Sequence, residues 1–358
     1  MYSALTEKLQ LEVREVKSVL AKHDQIRNII YAAAVFPAAP VGGAVDPLTQ
    51  IQLDPPALVE WRIYDHSASL TRLYALYERF VTDIVDKWLD VLPELCPQYL
   101  ALPEKVQTGH RVGVAEILLK LTGDQYQHLS QEKVLRGLFE GTTGLHPYSF
   151  LHDAFLTDNR NLWPSVLAGL FTKVGITDSW QWVNNHTKVA RFIQEVRGNA
   201  SSAESELRNF IQYRNRAAHG DVDDVLAIDE IDKIADFLVA VCEALSELVM
   251  CSVIRHRQEA GRAEPIGEII AEFGGQIVGV ETAPVALAVG ETLIVLRENA
   301  CYFAVVHSME ENHVAFQAMQ TVQGQKVALR LSRDAKVGGR LLRLLPSHNI
   351  DFFQGDGI

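Results

Sequence analysis

The stretch NFIQYRNRAAHGDVDD, residues 209–224, packs Arg214, Asn215, Arg216, His219 and Gly220 into seven positions. An Arg offers a planar fork of donors that suits a phosphate, and a His has the side-chain pKa nearest neutrality, so it takes or gives a proton at cellular pH. Asn215 adds an uncharged donor and acceptor. These are the groups needed to cleave RNA without a metal: a base for the 2′-hydroxyl, a cation for the crowded phosphorane and an acid for the departing 5′-oxygen. A plainer account uses the same residues. A His in the last turn of a helix is favoured by the macrodipole, Gly is the commonest residue just past the end, and an Arg near the end solvates carbonyls. Spacing alone leaves both accounts open.

Residues five apart on a helix are turned by about 140° from each other, so Arg214 and His219 project together only if the helix frays or kinks at His219. Gly220 gives the chain a place to do so. Ser201 and Ser202 are placed to cap this helix, Glu204 and Glu206 lie in its first turn, and Leu207, Phe210 and Ile211 give it an apolar face. Its neighbours are two long apolar patterns. One runs from Leu58 through Trp61, Tyr77 and Ile84 to Trp88 and is expected to stop before Pro93; the other runs from Ile228 to Arg255. Shorter helices are predicted over 112–121, 131–139, 161–173 and 187–197. Residues 4–24 form an amphipathic helix read as a surface or partner helix, followed by the irregular connection VFPAAPVGGAVDP.

At RQEAGRAEPIG the texture changes. Short runs such as QIVGV, TLIVL, CYFAVV and KVALRLS, split by turn residues, predict an all-β domain of about ninety residues, small enough to be one barrel. The expected fold class is therefore mainly α-helical with a C-terminal small all-β barrel. The expected divisions are residues 1–50, 51–258 and 266–358.

Of the 358 residues 48% are hydrophobic and 22% charged, the makeup of a globular protein of two ordinary domains. Lys and Arg number 33 against 45 acids, so the net charge of −12 repels nucleic acid and any RNA contact must come from a local patch. Cys96, Cys242, Cys251 and Cys301 lack metal or redox spacing and read as free thiols in a reducing compartment. The start of the chain is peppered with charge and no apolar run is long enough to span a bilayer, so a cytoplasmic protein without a membrane is expected. No P-loop, dinucleotide fingerprint or HExxH occurs, and His307 and His313 flank a turn without a third ligand, so neither cofactor nor metal is expected.

In its helical frame YRNRAAHG resembles the Arg-x4-His signature of the HEPN superfamily. The fuller pattern from LVEWRIYDHSASLTRLYALYERFV to FIQYRNRAAHGDV, about residues 50–257, is similar to its MAE-type branch of HEPN-like nucleases. The resemblance implies a metal-independent endoribonuclease acting as a bacterial toxin or antiviral effector. Arg214 would hold the phosphate, His219 would transfer protons and Asn215 would support them. It also implies a homodimer whose two motifs face one cleft, which would let two His219 side chains divide the roles of base and acid. An antitoxin or sensor protein is the partner expected to restrain such an enzyme. Some family toxins carry a Tyr two places after the His, modified by a partner nucleotidyltransferase; here Asp221 stands there. Asp221, Asp223 and Asp224 would tune the Arg214 and His219 pair or restrain it. The competing reading is a catalytically inactive HEPN scaffold that binds RNA, nucleotide or a protein.

Among other candidates, a carboxylate on the Leu58–Trp88 helix could reach Arg214 and orient it, with Asp65 and His66 the first to consider; a solvated charged face is the bland alternative. Trp61, Tyr64, Tyr74 and Tyr77 could stack bases, though aromatics at helical spacing more often form core. Residues 266–345 look like the second-domain barrel of translation elongation factors. There Lys326, Arg330, Arg333, Lys336, Arg340 and Arg343 form a basic run opposed in sequence only by Asp334; together with Arg216 they are the candidates for contact with an RNA backbone, or guards on a sheet edge.

Overall fold

The apolar stripe that begins at Leu58 becomes the axis of the computed structural model, which describes residues 2–32, 51, 54–144, 148–157, 161–198, 201–220, 224–274 and 276–345. The VFPAAPVGGAVDP connection, Asp221 and Asp223 lie outside them. Helix α2 (Leu58–Leu95) buries Leu70, Leu73, Tyr77, Phe80, Ile84 and Trp88 along one side. It runs through Pro93 instead of stopping before it. The proline falls in the last turn, and the Cys96 N–H still closes onto the Leu92 carbonyl at 2.8 Å.

Helix α1 (Tyr2–Ala32) packs along α2 and along the long last helix, α9 (Ile228–Glu259). It is not a free surface helix: Leu9, Val13, Leu20 and Ile30 are buried, and Lys17 reaches Asp236 of α9 at 2.7 Å. The apolar window of α9 is long enough to cross a membrane by composition, yet 78% of it is buried inside the protein, as a core helix requires.

The middle holds α3 (Glu104–Lys120), α4 (Gln131–Thr142), α5 (Pro164–Lys173), α6 (Ser179–Asn185) and α7 (Thr187–Phe192), the last continuing into a π turn, Ile193–Arg197. Helix α3 begins at Glu104, eight residues before the start of the predicted 112–121, with Gly109 inside the half that lacks an apolar period. Gly113 has a packing reason: a Cβ there would lie 1.8 Å from the Ala154 carbonyl oxygen, so the short His152–Ala154 turn can approach only a glycine. Helix α8 (Ala203–His219) then leads into α9.

The β-domain contains β1 (Ala263–Glu272), β2 (Ile277–Thr282), β3 (Ala286–Ala288), β4 (Thr292–Arg297), β5 (Ala300–Glu311), β6 (Val314–Phe316), β7 (Ala318–Gln320), β8 (Gln325–Leu331) and β9 (Arg340–Leu344). Six strands close in the order β4-β9-β1-β2-β8-β5, because β5 pairs back to β4 with Thr292 opposite Val305. Alternation sends Ile266, Val278, Val280, Leu293, Val295 and Leu329 inward. The opposite side of the barrel wall is also used: Ile294, Leu296, Cys301 and Leu342 join the core of the helical region through α9. Across that seam the buried Cys251 and Cys301 thiols interact, which lowers the Cys251 pKa and raises that of Cys301. The expected class, a helical region with a C-terminal small all-β barrel, is what the chain forms.

Candidate active site

Helix α8 starts with a reciprocal cap: the Ser205 N–H donates to Ser202 Oγ at 3.2 Å and the Ser202 N–H donates to Ser205 Oγ at 2.9 Å. Leu207, Phe210 and Ile211 follow on one buried face. Arg214 is the next residue of that face, so it emerges where the core meets the surface. Its guanidinium lies over the Tyr74 ring of α2, 4.2 Å from the centroid, and its Nη1 donates to Asn161 Oδ1 at 3.2 Å and to Asn215 Oδ1 at 3.0 Å. Asn161 Nδ2 also donates to Asn215 Oδ1 at 3.0 Å, closing a small ring of amides around the cation. Among the described residues the buried Arg214 Nε has no hydrogen-bond partner.

Tyr74 is itself held. Its hydroxyl accepts the Leu162 N–H at 3.0 Å and donates to Glu78 at a long 3.5 Å, while Tyr77 donates to the Leu162 carbonyl at 3.3 Å. Burial pushes the Tyr74 phenol above its ordinary pKa, opposed by the hydrogen bond at Leu162 and the charge of Arg214, so the ring stays neutral and keeps its proton to donate. The two tyrosines pin the Asn161–Leu162 segment, and that segment pins Arg214. Sequence reasoning missed Asn161. It sits in a loop distant in sequence from Arg214, with no periodicity to single it out.

His219 is placed differently. Gly220 does end the helix in the left-handed conformation, at φ 75° and ψ 11°, but α8 is regular through His219 and does not fray or kink before it. Arg214 and His219 therefore keep the separation of about 140° of an undistorted helix. One protomer does not bring them onto one face. His219 and Arg216 are exposed and have no hydrogen-bond or ion-pair partner among the described residues.

Asp65 and His66 do not reach Arg214, contrary to the reading that made them its supports. Asp65 is buried and accepts hydrogen bonds from Arg27 and from His23 Nδ1 (2.7 Å), both on α1, while Arg27 also reaches Asp24 at 3.0 Å. A carboxylate deep in an interhelical seam pairs with the buried cation beside it. It stands about 13 Å up the α2 axis from Tyr74. His66 Nδ1 accepts the Leu226 N–H at 3.1 Å; burial lowers its pKa, and Asp224 works in the opposite direction. These residues fasten α1 and the approach to α9 onto α2. Of the aromatics, Tyr74 and Tyr77 are buried, Trp61 packs edge-on to Tyr31, and Tyr64 is exposed.

The basic run of the barrel is opposed by more than Asp334, because strand pairing brings acids from elsewhere in the chain. Arg343 is bound by Glu264 (2.7 Å) and Glu291, and Lys336 by Glu272 (2.8 Å). Arg340 stands opposite Glu268 and Lys326 opposite Glu281 in the strand register. Arg333 lies 4.7 Å from the centroid of the Tyr302 ring, and Arg330 is exposed. None of them adjoins Arg214. Trp88, packed on His256 at 5.6 Å near the barrel end of α9, is about 21 Å along α2 from Tyr74.

The site is thus an Arg held by two Asn and a Tyr, with an exposed His five residues on, at the end of a capped helix. No curated protein and no solved structure matches the chain. The model of the family described as RiboL-PSP-HEPN matches residues 49–250, which carry Tyr74, Asn161, Arg214 and His219. HEPN domains are often RNases, so membership suggests a nuclease or RNA-related role. With over half of its length matched, the chain belongs to the RiboL-PSP-HEPN family.

Proposed function

We propose that this protein is a metal-independent endoribonuclease of the MAE-type HEPN branch, acting as a toxin or antiviral effector, with a barrel akin to the second domain of elongation factors. The observation that carries the reading is the held Arg214. A guanidinium fixed over Tyr74 and by Asn161 and Asn215 is a preorganised phosphate holder. His219, exposed at the end of the same helix, is the proton-transfer group. Because the two diverge within one protomer, the site is completed in a homodimer, where a second His219 supplies the other proton transfer. One His takes the proton of the 2′-hydroxyl, that oxygen attacks the phosphorus, and the other His protonates the leaving 5′-oxygen. Arg216 and the exposed barrel cations Arg330, Arg333, Lys326 and Arg340 steer the RNA backbone, and an antitoxin or sensor protein restrains the enzyme in a cytoplasmic setting.

Purified protein in excess EDTA should cut RNA and leave a 2′,3′-cyclic phosphate. A 2′-deoxy nucleotide at the cut position should block the reaction; equal cutting of the deoxy substrate would overturn the mechanism.

One observation favours a second reading, a catalytically inactive scaffold. Within a single chain the Arg214 and His219 side chains diverge, and the net charge of −12 opposes RNA. RNA or nucleotide binding that persists in His219→Ala, with cleavage by neither form, would support the scaffold.

A further inference from the structure

Beside Arg214 lies a groove that the proposed proton transfers leave unused. Glu78 and Thr82 of α2, Val166, Gly169 and Lys173 of α5, and Leu156 and Leu162 line a cavity of about 670 Å³. That volume falls within the range of roughly 300–1,000 Å³ typical of small-molecule pockets.

Three features give the groove an occupant. Leu162 is a shared wall: it lines the groove, its N–H is held by Tyr74, and the residue before it, Asn161, holds Arg214. A phosphate on Arg214 therefore has its own nucleoside next to the groove. Gly169 sits inside α5, where glycine is less favourable than Ala; a Cβ there would meet nothing within 4 Å, so no packing constraint demands it, and its absence leaves the wall flat. Glu78 is exposed, touches the Tyr74 hydroxyl at 3.5 Å and has no ion-pair partner among the described residues, so its carboxylate is an acceptor at the end of the groove nearest Arg214.

We propose that this groove is a nucleobase subsite selective for guanine. The half-buried Leu156 and Val166 of the lining take the face of the ring, and Glu78 accepts the N1–H and N2–H of the Watson–Crick edge, two adjacent donors that only guanine presents among the four RNA bases. Lys173 donates to the Phe155 carbonyl at 3.4 Å and has further donors for the guanine O6. The inference rests on the reading of Arg214 as phosphate holder, so its test is a binding measurement that does not require cleavage.

His219→Ala protein is titrated with guanosine, adenosine, cytidine and uridine 3′-monophosphates, followed by calorimetry and by NMR. The guanosine nucleotide should bind about ten-fold or more tightly than the others, as a good bidentate base contact provides. Inosine 3′-monophosphate, which lacks the N2 amino group, should lose most of that advantage on the otherwise unaltered groove. Glu78→Gln should abolish the preference for guanine, and Gly169→Phe should weaken all four nucleotides, with melting temperatures as controls. Equal affinity for the guanosine and adenosine nucleotides, or a guanine preference that survives Glu78→Gln, would overturn the subsite. Guanine selectivity in a protein that never cleaves RNA would uphold the subsite and remove the nuclease reading; cleavage without guanine selectivity would do the reverse.

Discussion

Asn161 Oδ1 accepts a hydrogen bond from Arg214 Nη1 at 3.2 Å, tying a loop residue to a helix end far along the chain. The contact matters because an Arg side chain at a surface otherwise samples many rotamers, and an amide on one edge with Tyr74 beneath it selects a single pose. The cost of ordering the cation is met during folding, before any RNA arrives.

Removing that restraint should show in turnover more than in stability. Asn161→Ala leaves Asn215 as the sole amide on Nη1, and a misplacement of about 1 Å can cost on the order of a hundred-fold in rate. We expect kcat to fall by about ten- to hundred-fold with the melting temperature nearly unchanged. An unaltered kcat with only KM raised would show that Asn161 contributes binding without positioning.

Asp65 should behave in the opposite way. It is the buried partner of Arg27, so Asp65→Asn leaves that cation only the more exposed Asp24 as counter-charge in the α1–α2 seam and should destabilise the fold by about 2–3 kcal/mol, short of the full cost of an unpaired buried charge. Activity per folded molecule should stay at the level of the unaltered protein. Loss of activity at full stability would return Asp65 to the active site.

His110 predicts how stability responds to acid. It is fully buried between Tyr99, whose hydroxyl is 3.2 Å from Nδ1, and the Leu151 N–H, which donates to Nε2 at 3.3 Å. Burial holds its pKa at about 4, against an ordinary value of 6.5. The unfolded chain therefore binds this proton first as pH falls. Its contribution is complete above about 6.5 and is lost on the way down to about 4, a change of about 3 kcal/mol, to which the lowered pKa of His66 adds in the same direction. Urea midpoints at pH 7 and pH 4.5 should differ accordingly, and His110→Gln should flatten the difference. A slope unchanged in the variant would contradict the assignment.

A dimeric site makes a quantitative prediction about mixtures. If two His219 side chains divide the proton transfers, subunits exchanged between unaltered and His219→Ala protein should lose activity as the square of the unaltered fraction. A linear loss would mean that each protomer works alone.

The sequence made the frame legible because periodicity reports burial. The stripe on α2, the cap at Ser202, the stop at Gly220 and the alternation of the barrel strands each follow from local rules. It misled where a local signal had a tertiary cause. Gly109 looks like a breaker yet makes room for the Lys173 side chain against α3, and α2 runs on through Pro93 in its last turn. The site was half legible. Arg214 and His219 stand out by type, but Asn161 depends on a loop folding back, and the partners of Asp65 and Arg343 depend on which helix and which strand lie opposite.

Whether His219 performs proton transfer on RNA held by Arg214 is decided by a single comparison. The unaltered protein and His219→Ala, matched in melting temperature and oligomeric state, are each incubated with RNA in EDTA. The first should cleave to 2′,3′-cyclic phosphate ends and the second should not cleave. Equal cleavage by both would contradict that role.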